Sequence, residues 1–256
     1  MTYPEVPDFD SAGARLHYEL HGAEDGPPVV LVHGYCSDYR LNWVGTRWQE
    51  ALTTAGRRVI GLDCRGHGHS DKPHDPQAYD RTLMAADVAR LLDHLRVSHA
   101  DLLGYSMGGR ICLEVTLDHA ERIGRTVLGG VGRWVTAHGP RHADLTARRM
   151  RGDASVTDPM ANMFYDFAAA RPINDLEALA CCILGPQRAL GDDELRACHT
   201  PVLVCTGEED PLARGGNELA ALLGNGRHIS IEGRNHMNAV PARQFKESAL
   251  AFLTET

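Results

Sequence analysis

The amino-acid sequence predicts an α/β fold in which helices flank a mostly parallel central sheet, with one helical segment inserted. Three observations carry this prediction. Short, continuous apolar runs alternate along the chain with segments of helical periodicity, which is typical of parallel sheets. One of these runs is joined to a helical segment by a sharp glycine-rich turn near residue 106. The alternation stops near residue 133 and resumes near residue 200.

The first half of the chain alternates strand and helix patterns. Residues 9–22 alternate polar and apolar side chains and predict an edge hairpin. The run 29–32 is apolar throughout, as expected for a parallel strand buried on both faces, and a loop then extends to Trp43. Further elements are predicted in this order: a helix at 48–54, a strand at 58–63, a helix at 81–95 and a strand ending at Gly104.

The second half contains the insertion. After a strand at 125–130, residues 133–199 show only short helical patterns, so we expect a helical cap there. The core domain would then comprise residues 1–132 and 200–256. Its second part predicts, in order, a strand at 201–207, a helix at 212–223, a strand at 227–232 and a closing helix at 241–253.

Composition limits the possible partners and compartment. The net charge of −8 argues against nucleic acid or an anionic membrane surface as the main partner, since both require clustered cations. No apolar run approaches the length of a membrane span, and no signal peptide is visible at the N-terminus. Seven cysteines at irregular spacing are typical of free thiols in a reducing compartment, which predicts a cytoplasmic protein.

The turn after the strand at residue 104 has the pattern of a nucleophile elbow. Gly104-x-Ser106-x-Gly108 lies between an apolar strand and a helical segment. The strained serine backbone leaves no room for side chains two positions away, which explains the glycines. The turn also puts Ser106 at a helix N-terminus, where unpaired N–H groups favour developing negative charge.

These blocks resemble the α/β-hydrolase superfamily, on its serine-nucleophile branch with a helical cap. The similarity covers about residues 29–236 and is weakest at 133–199. In this fold the chain order is nucleophile, acid, histidine. The resemblance implies Asp210 as the acid, in a loop that also holds Glu208 and Glu209, and His236 as the base after the last strand.

An oxyanion hole is the remaining part that the resemblance implies. One donor is the backbone N–H of Met107, directly after the nucleophile. The second donor would come from the loop that follows the first parallel strand. We assign it to Tyr35, although the sequence does not decide between Tyr35 and Cys36.

The segment from Asp63 to Ser70 also resembles a family motif, and we interpret it as structural. His67 and His69 alternate in a way that could suggest metal binding, but two histidines at this spacing do not by themselves make a metal site. We therefore expect neither a metal nor a cofactor.

A serine at the elbow disfavours the haloalkane dehalogenase and epoxide hydrolase branches, which use aspartate there. The resemblance thus implies a carboxylesterase-like hydrolase acting on a small to medium, largely apolar ester. Open alternatives are hydrolases that cleave C–C bonds in ring-cleavage products, lactonases, cofactor-free perhydrolases and a non-catalytic ligand receptor. Methionines and aromatic residues in the cap suit an apolar pocket, although we expect most of them simply to pack the cap onto the sheet: Met150, Met160, Met163, Phe164, Tyr165 and Phe167.

Overall fold

The computed structural model describes residues 7–136 and 140–255 of the protein. The first elements are a hairpin and two buried strands with their helices: β1 (Asp8–Ser11), β2 (Ala14–His21), β3 (Pro28–Val32), α1 (Trp48–Thr54), β4 (Arg58–Leu62) and α2 (Arg81–His94). The central elements are β5 (Ala100–Tyr105), α3 (Met107–Asp118) and β6 (Ile123–Gly129). After the insertion come β7 (Val202–Gly207), and later β8 (Gly226–Ile231).

These strands form one sheet in the order β1-β2-β4-β3-β5-β6-β7-β8. Strands β1 and β2 pair antiparallel with each other, and β2 pairs antiparallel with β4. Every further pair, from β4 to β8 in the sheet order, is parallel. The predicted fold class is therefore confirmed. Strand β5 lies between β3 and β6, so the carboxyl ends of three parallel strands meet beside Ser106, where ligands bind in open α/β sheets.

Each central strand contributes side chains to two separate cores, which explains its unbroken apolar sequence. In β3, Val30 and Val32 face the core that includes α2 and α3, whereas Val29 and Leu31 face the core on the opposite side. On that opposite side Trp48 of α1 packs edge-on against Phe245, with ring centroids 4.7 Å apart.

Four α-helices and a short 3-10 helix at Arg133–Thr136 connect β6 to β7 within the described residues; the α-helices are α4 (Pro140–Met150), α5 (Pro159–Ala169), α6 (Leu176–Leu184) and α7 (Asp192–Arg196). Helix α4 packs against both α5 and α6. The predicted helical stretches lie in these helices, while the division into core and cap domains stays a prediction. The insertion prediction also covers residues 137–139, and the N-terminal prediction covers residues 1–6; both stretches lie outside the described residues.

Two predicted elements differ from the structure. The loop before Trp43 contains a π-helical turn, Arg40–Val44. The helix predicted from residue 212 begins only at Gly216, as α8 (Gly216–Leu222). The reason is that Gly215 adopts a left-handed conformation with φ of 76°, through which an α-helix cannot continue. The closing helix is α9 (Arg243–Leu253).

Within residues 7–136 and 140–255, no helix is long and apolar enough to cross a membrane. All seven cysteines are buried free thiols, as the sequence predicts.

Candidate active site

Ser106 lies at the sharp turn between β5 and α3. Its backbone has φ of 53° and ψ of −113°, a conformation that residues with a β-carbon rarely adopt. The flanking glycines are required by close contacts: a β-carbon at Gly104 would lie 2.3 Å from the carbonyl oxygen of Gly108, and one at Gly108 would lie 2.0 Å from that of Val32. The elbow therefore depends on glycine at both positions to hold the serine in this turn.

A hydrogen-bonded line connects three of the predicted site residues. His236 Nε2 lies 2.9 Å from Ser106 Oγ, and His236 Nδ1 lies 2.7 Å from Asp210 Oδ2. Asp210 and His236 are both buried, whereas Ser106 is partly exposed. With Asp210 ionised, Nδ1–H donates to the carboxylate, so Nε2 is free to accept the serine proton.

The three carboxylates after β7 have different environments. Asp210 is 4% exposed, and its second oxygen, Oδ1, accepts the N–H groups of Leu212 at 2.9 Å and Ala213 at 3.2 Å. Glu208 and Glu209 are exposed, and Glu208 accepts the N–H of Gly233 at 3.0 Å. Of these three acids, Asp210 is the one that reaches the histidine.

The predicted oxyanion donors lie on two elements beside the serine. Met107 is the first residue of α3, where backbone N–H groups have no acceptor within the helix. The loop after β3 approaches from the other side, since a β-carbon on Gly34 would be 3.6 Å from Ser106 Cβ. Tyr35 lines the cavities around Ser106, whereas the side chain of Cys36 is fully buried in the core.

Two cavities meet at Ser106, Tyr35 and Phe164. The smaller, of about 180 Å³, extends past His236 and has mostly apolar walls, including Leu41, Met163, Phe167, Met237 and Val240. The larger, of about 580 Å³, extends past Met107 and under the inserted helices, where its walls include Arg81, Arg110, Met160, Ile183 and Leu184. The site can therefore hold a substrate that reaches in two directions from the serine.

The inserted helices contribute several side chains to these walls. Four of the six methionine and aromatic side chains line a cavity: Met160, Met163, Phe164 and Phe167. Met150 is buried in the core, and Tyr165 packs under the guanidinium of Arg149 at 3.7 Å. Phe164, Tyr165 and Phe167 also pack against this core, so α5 combines packing of the insertion with one face that points toward the serine.

The segment from Asp63 to Ser70 is tied to the scaffold. Asp63 accepts the N–H groups of Tyr39 and His69, each at 2.8 Å, and Arg65 forms an ion pair of 2.7 Å with Asp87. Burial raises the pKa of Asp87, although Arg65 opposes this shift. His67 is buried, and in the part of the chain that the structure describes no group of three or more metal-ligating side chains is present. This geometry agrees with a structural role.

Three further residues at the site are not identified by any sequence motif. Asn42 accepts the N–H of Gly34 through Oδ1 at 3.1 Å and so fixes the loop after β3. Tyr105 contacts the histidine loop from β5. Arg81 is the first residue of α2 and lines the larger cavity. The contacts of Tyr105 and Arg81 join distant parts of the chain, and the Asn42 bond depends on how its loop folds, so local patterns could not predict them.

The protein belongs to the α/β-hydrolase family and is a hydrolase of that family, which confirms the predicted resemblance. The family profile described as the alpha/beta hydrolase fold matches residues 27–149. The chain is 30% identical over 231 residues to 2-hydroxymuconate semialdehyde hydrolase of Pseudomonas sp. (strain CF600), covering 82% of this chain and 79% of that protein. It is also 30% identical to the dihydrolipoyllysine-residue acetyltransferase component of the acetoin cleaving system of Pseudomonas putida, covering 97% of this chain and 69% of that protein.

Among solved structures, the fold is similar to that of the enol-lactonase from Burkholderia xenovorans LB400. The TM-score is 0.82 at 26% identity, and the match covers 97% of this chain and 100% of the enol-lactonase.

Proposed function

We propose that the protein hydrolyses carboxylic esters of small molecules through an acyl-enzyme formed on Ser106. The observation that carries this proposal is the hydrogen-bonded line from Asp210 through His236 to Ser106. A serine hydroxyl becomes a good nucleophile when an oriented base takes its proton, and this line supplies both the base and its orientation. Neither a cofactor nor a metal takes part in these steps.

The reaction would proceed in two halves. Ser106 Oγ bonds to the carbonyl carbon while its proton passes to His236 Nε2, and the carbonyl oxygen becomes an oxyanion that accepts the N–H groups of Met107 and Tyr35. The bond to the alcohol oxygen then breaks, and His236 returns the proton to that oxygen. In the second half His236 deprotonates a water that attacks the acyl-enzyme, which releases a carboxylic acid and restores the serine.

The positions of the two cavities suggest how the ester lies. The leaving oxygen must be within reach of the acid that protonates it, so the alcohol group should lie on the His236 side. That side is the apolar cavity of about 180 Å³, which is close to the size of cavities that hold benzene. The acyl group would then occupy the larger cavity beside Met107.

Lactone hydrolysis is a second candidate, favoured by the similarity to an enol-lactonase. A lactone is an internal ester, so the bond changes would be the same, but the alcohol would stay attached to the acyl group. We also propose the cytoplasm as the location, which is supported by seven buried free thiols.

Hydrolysis of phenyl acetate by three purified variants tests the proposal. Loss of the nucleophile in Ser106→Ala should lower kcat by about a million-fold. Asp210→Asn should lower it by about 10⁴-fold, because the histidine loses its orienting partner. Glu209→Gln, in which the changed side chain is exposed one position earlier, is the matched control and should retain wild-type kcat. Ser106→Ala activity within about tenfold of wild type would exclude the mechanism.

A substrate panel separates the remaining alternatives. Graded phenyl esters, γ- and δ-lactones, a ring-cleavage dienone and peracid formation from acetate with hydrogen peroxide should be compared by kcat/KM. Esters as the best substrates support the first proposal, and lactones the second. Tight binding without turnover of any compound would instead indicate a receptor.

A further inference from the structure

Arg81 has the environment of a cation that lacks its counter-charge. It is the first residue of α2, it is only 4% exposed, and its side chain lines the larger cavity. Its Nε has no hydrogen-bond partner, and Nη1 reaches only the thioether sulfur of Met84 at 3.3 Å. Among the described residues no carboxylate forms an ion pair with it.

The other buried arginine on this wall is different. Arg110 donates from Nε to Glu114 at 2.8 Å and also bonds to backbone carbonyls of Val135 and Arg188. Burial lowers the pKa of Arg110, and the charge of Arg81 lowers it further, which indicates that the two guanidinium groups lie near each other. Glu114 also forms an ion pair with Arg188, so both of its carboxylate oxygens are already paired with arginines.

The side chains around the cavity therefore carry an excess of positive charge. Arg188 also forms ion pairs with Asp118 and Glu194. His142 lines the cavity, and its Nδ1 lies 3.9 Å from Oδ2 of Asp158. Arg81 is left as a buried charge without an anion. Such a group is costly unless something pairs with it, so the cavity is suited to an anionic ligand.

We propose that Arg81 binds a carboxylate at the far end of the substrate's acyl group. This inference rests on the proposed ester hydrolysis at Ser106 and names the substrate class for it. A guanidinium matches the two oxygens of a carboxylate with parallel N–H donors, and one such group balances one negative charge. The substrate would be a monoester of a dicarboxylic acid, or a lactone that carries a free carboxylate.

The path from the nucleophile to Arg81 is continuous along the cavity wall. Met107 follows Ser106, and its sulfur lies 3.9 Å from Sγ of Cys182. Arg81 in turn contacts Cys182, whose pKa burial raises to about 11 while Arg81 opposes the shift. Between these ends the walls are apolar, with Phe164, Ile183 and Leu184 available to the methylene chain of an acyl group.

The test compares two substrates that differ only at the far end. Monophenyl adipate carries the carboxylate, and its terminal amide is the neutral match of the same length. Wild type should prefer the acid in kcat/KM, and in Arg81→Met that preference should fall by about 10-fold to 100-fold, as expected for hydrogen bonds to a charged group. The matched control is Arg90→Met on the same helix, whose side chain is 39% exposed and pairs with Asp87; it should keep the wild-type ratio.

Binding to the inactive protein gives a second, independent measurement. Calorimetry with Ser106→Ala should show at least tenfold tighter binding of the acid than of the amide, and the double variant with Arg81→Met should lose that difference. A melting curve of Arg81→Met verifies folding, because removal of an unpaired buried charge should not lower its melting temperature.

The outcomes separate this inference from the proposed function. If neither compound is hydrolysed but Ser106→Ala still prefers the acid through Arg81, the anion site stands and ester hydrolysis fails. If both are hydrolysed at the same ratio in wild type and Arg81→Met, or if Ser106→Ala binds the acid no better than the amide, the anion site is overturned. Hydrolysis with an Arg81-dependent preference supports both.

Discussion

The phenolic hydroxyl of Tyr105 donates a hydrogen bond of 2.6 Å to the backbone carbonyl of His236, 131 positions later in the sequence. Tyr105 immediately precedes Ser106, and its ring centroid lies 5.3 Å from that of His236. The end of β5 therefore fixes the loop that carries the histidine. The distance between Ser106 and His236 depends on this contact as well as on Asp210.

Replacement of Tyr105 by phenylalanine should lower both stability and rate. The carbonyl of His236 would lose its donor in a buried position, at a cost of about 1 to 3 kcal/mol in the free energy of unfolding. The histidine loop would become less well positioned, which should lower kcat by about tenfold or more. Urea unfolding and phenyl acetate hydrolysis measure the two effects.

Tyr79→Phe is the matched control for this prediction. The Tyr79 ring is buried, and its hydroxyl also donates to a backbone carbonyl, that of Pro73 at 2.7 Å, but it lines neither cavity at Ser106. It should lose similar stability and keep its kcat. Equal loss of kcat in both variants would mean that Tyr105 acts through general stability and not through the histidine loop.

The strained backbone of Ser106 predicts an unusual order of stability among inactive variants. Glycine adopts φ of 53° without the steric cost that a β-carbon adds, a cost of about 1 to 3 kcal/mol. The greater freedom of glycine in the unfolded chain opposes this by about 0.4 to 1 kcal/mol. Ser106→Gly should therefore be more stable than Ser106→Ala, by about 1 kcal/mol in urea unfolding.

The same pair of substitutions at Ser230 provides the comparison. Ser230 is exposed within strand β8, where glycine weakens a strand. There the alanine variant should be the more stable of the two. If glycine is also the less stable variant at position 106, the turn at Ser106 stores no strain.

Much of this fold could be predicted because its strands are buried on both faces. Val29 to Val32 must be apolar throughout, and that pattern identifies a parallel strand without any knowledge of its neighbours. The elbow was equally recognisable, since the close contacts at Gly104 and Gly108 exclude other residues. These signals are local, so they are visible in sequence.

Contacts between distant segments could not be predicted in this way. The hydrogen bond from Tyr105 to His236 and the exposure of Arg81 to a cavity under α6 depend on how separate elements pack. The late start of α8 has a local cause instead: the apolar pattern favours a helix from residue 212, but the left-handed conformation of Gly215 delays the start to Gly216.

Glu19 predicts a loss of stability in acid. Burial raises its pKa, but the nearby His17 ring and hydrogen bonds from His21 and Arg40 outweigh burial, so the pKa lies well below the usual range. A carboxylate with a depressed pKa stabilises the fold above its unfolded pKa, near 4.3, and this contribution is lost as pH falls through the folded pKa. The Arg40 side chain is 68% exposed, which limits the contribution to about 1 kcal/mol.

The measurement is urea unfolding of wild type and Glu19→Gln between pH 6 and pH 3. Wild type should be more stable by about 1 kcal/mol near pH 5.5, and the difference should shrink below about pH 4. Glu24→Gln, at an exposed position in the same region, should show no such trend. A difference that stays constant across this range would show that Glu19 does not contribute through its charge.

The smaller cavity predicts the size of the alcohol group. Val240 lines it beside His236, and the shorter side chain in Val240→Ala would enlarge a space of about 180 Å³ by roughly two methyl groups. We expect wild type to prefer phenyl acetate over 1-naphthyl acetate, because a second fused ring exceeds a cavity of benzene size. In Val240→Ala the ratio of the two kcat/KM values should shift toward the naphthyl ester by about tenfold, within the range that one or two methylene groups give.

Ile183→Ala enlarges the other cavity and is the control, so it should leave this ratio unchanged while altering the preference for acyl length. If Ile183→Ala shifts the alcohol preference and Val240→Ala does not, the alcohol and acyl groups occupy the opposite cavities.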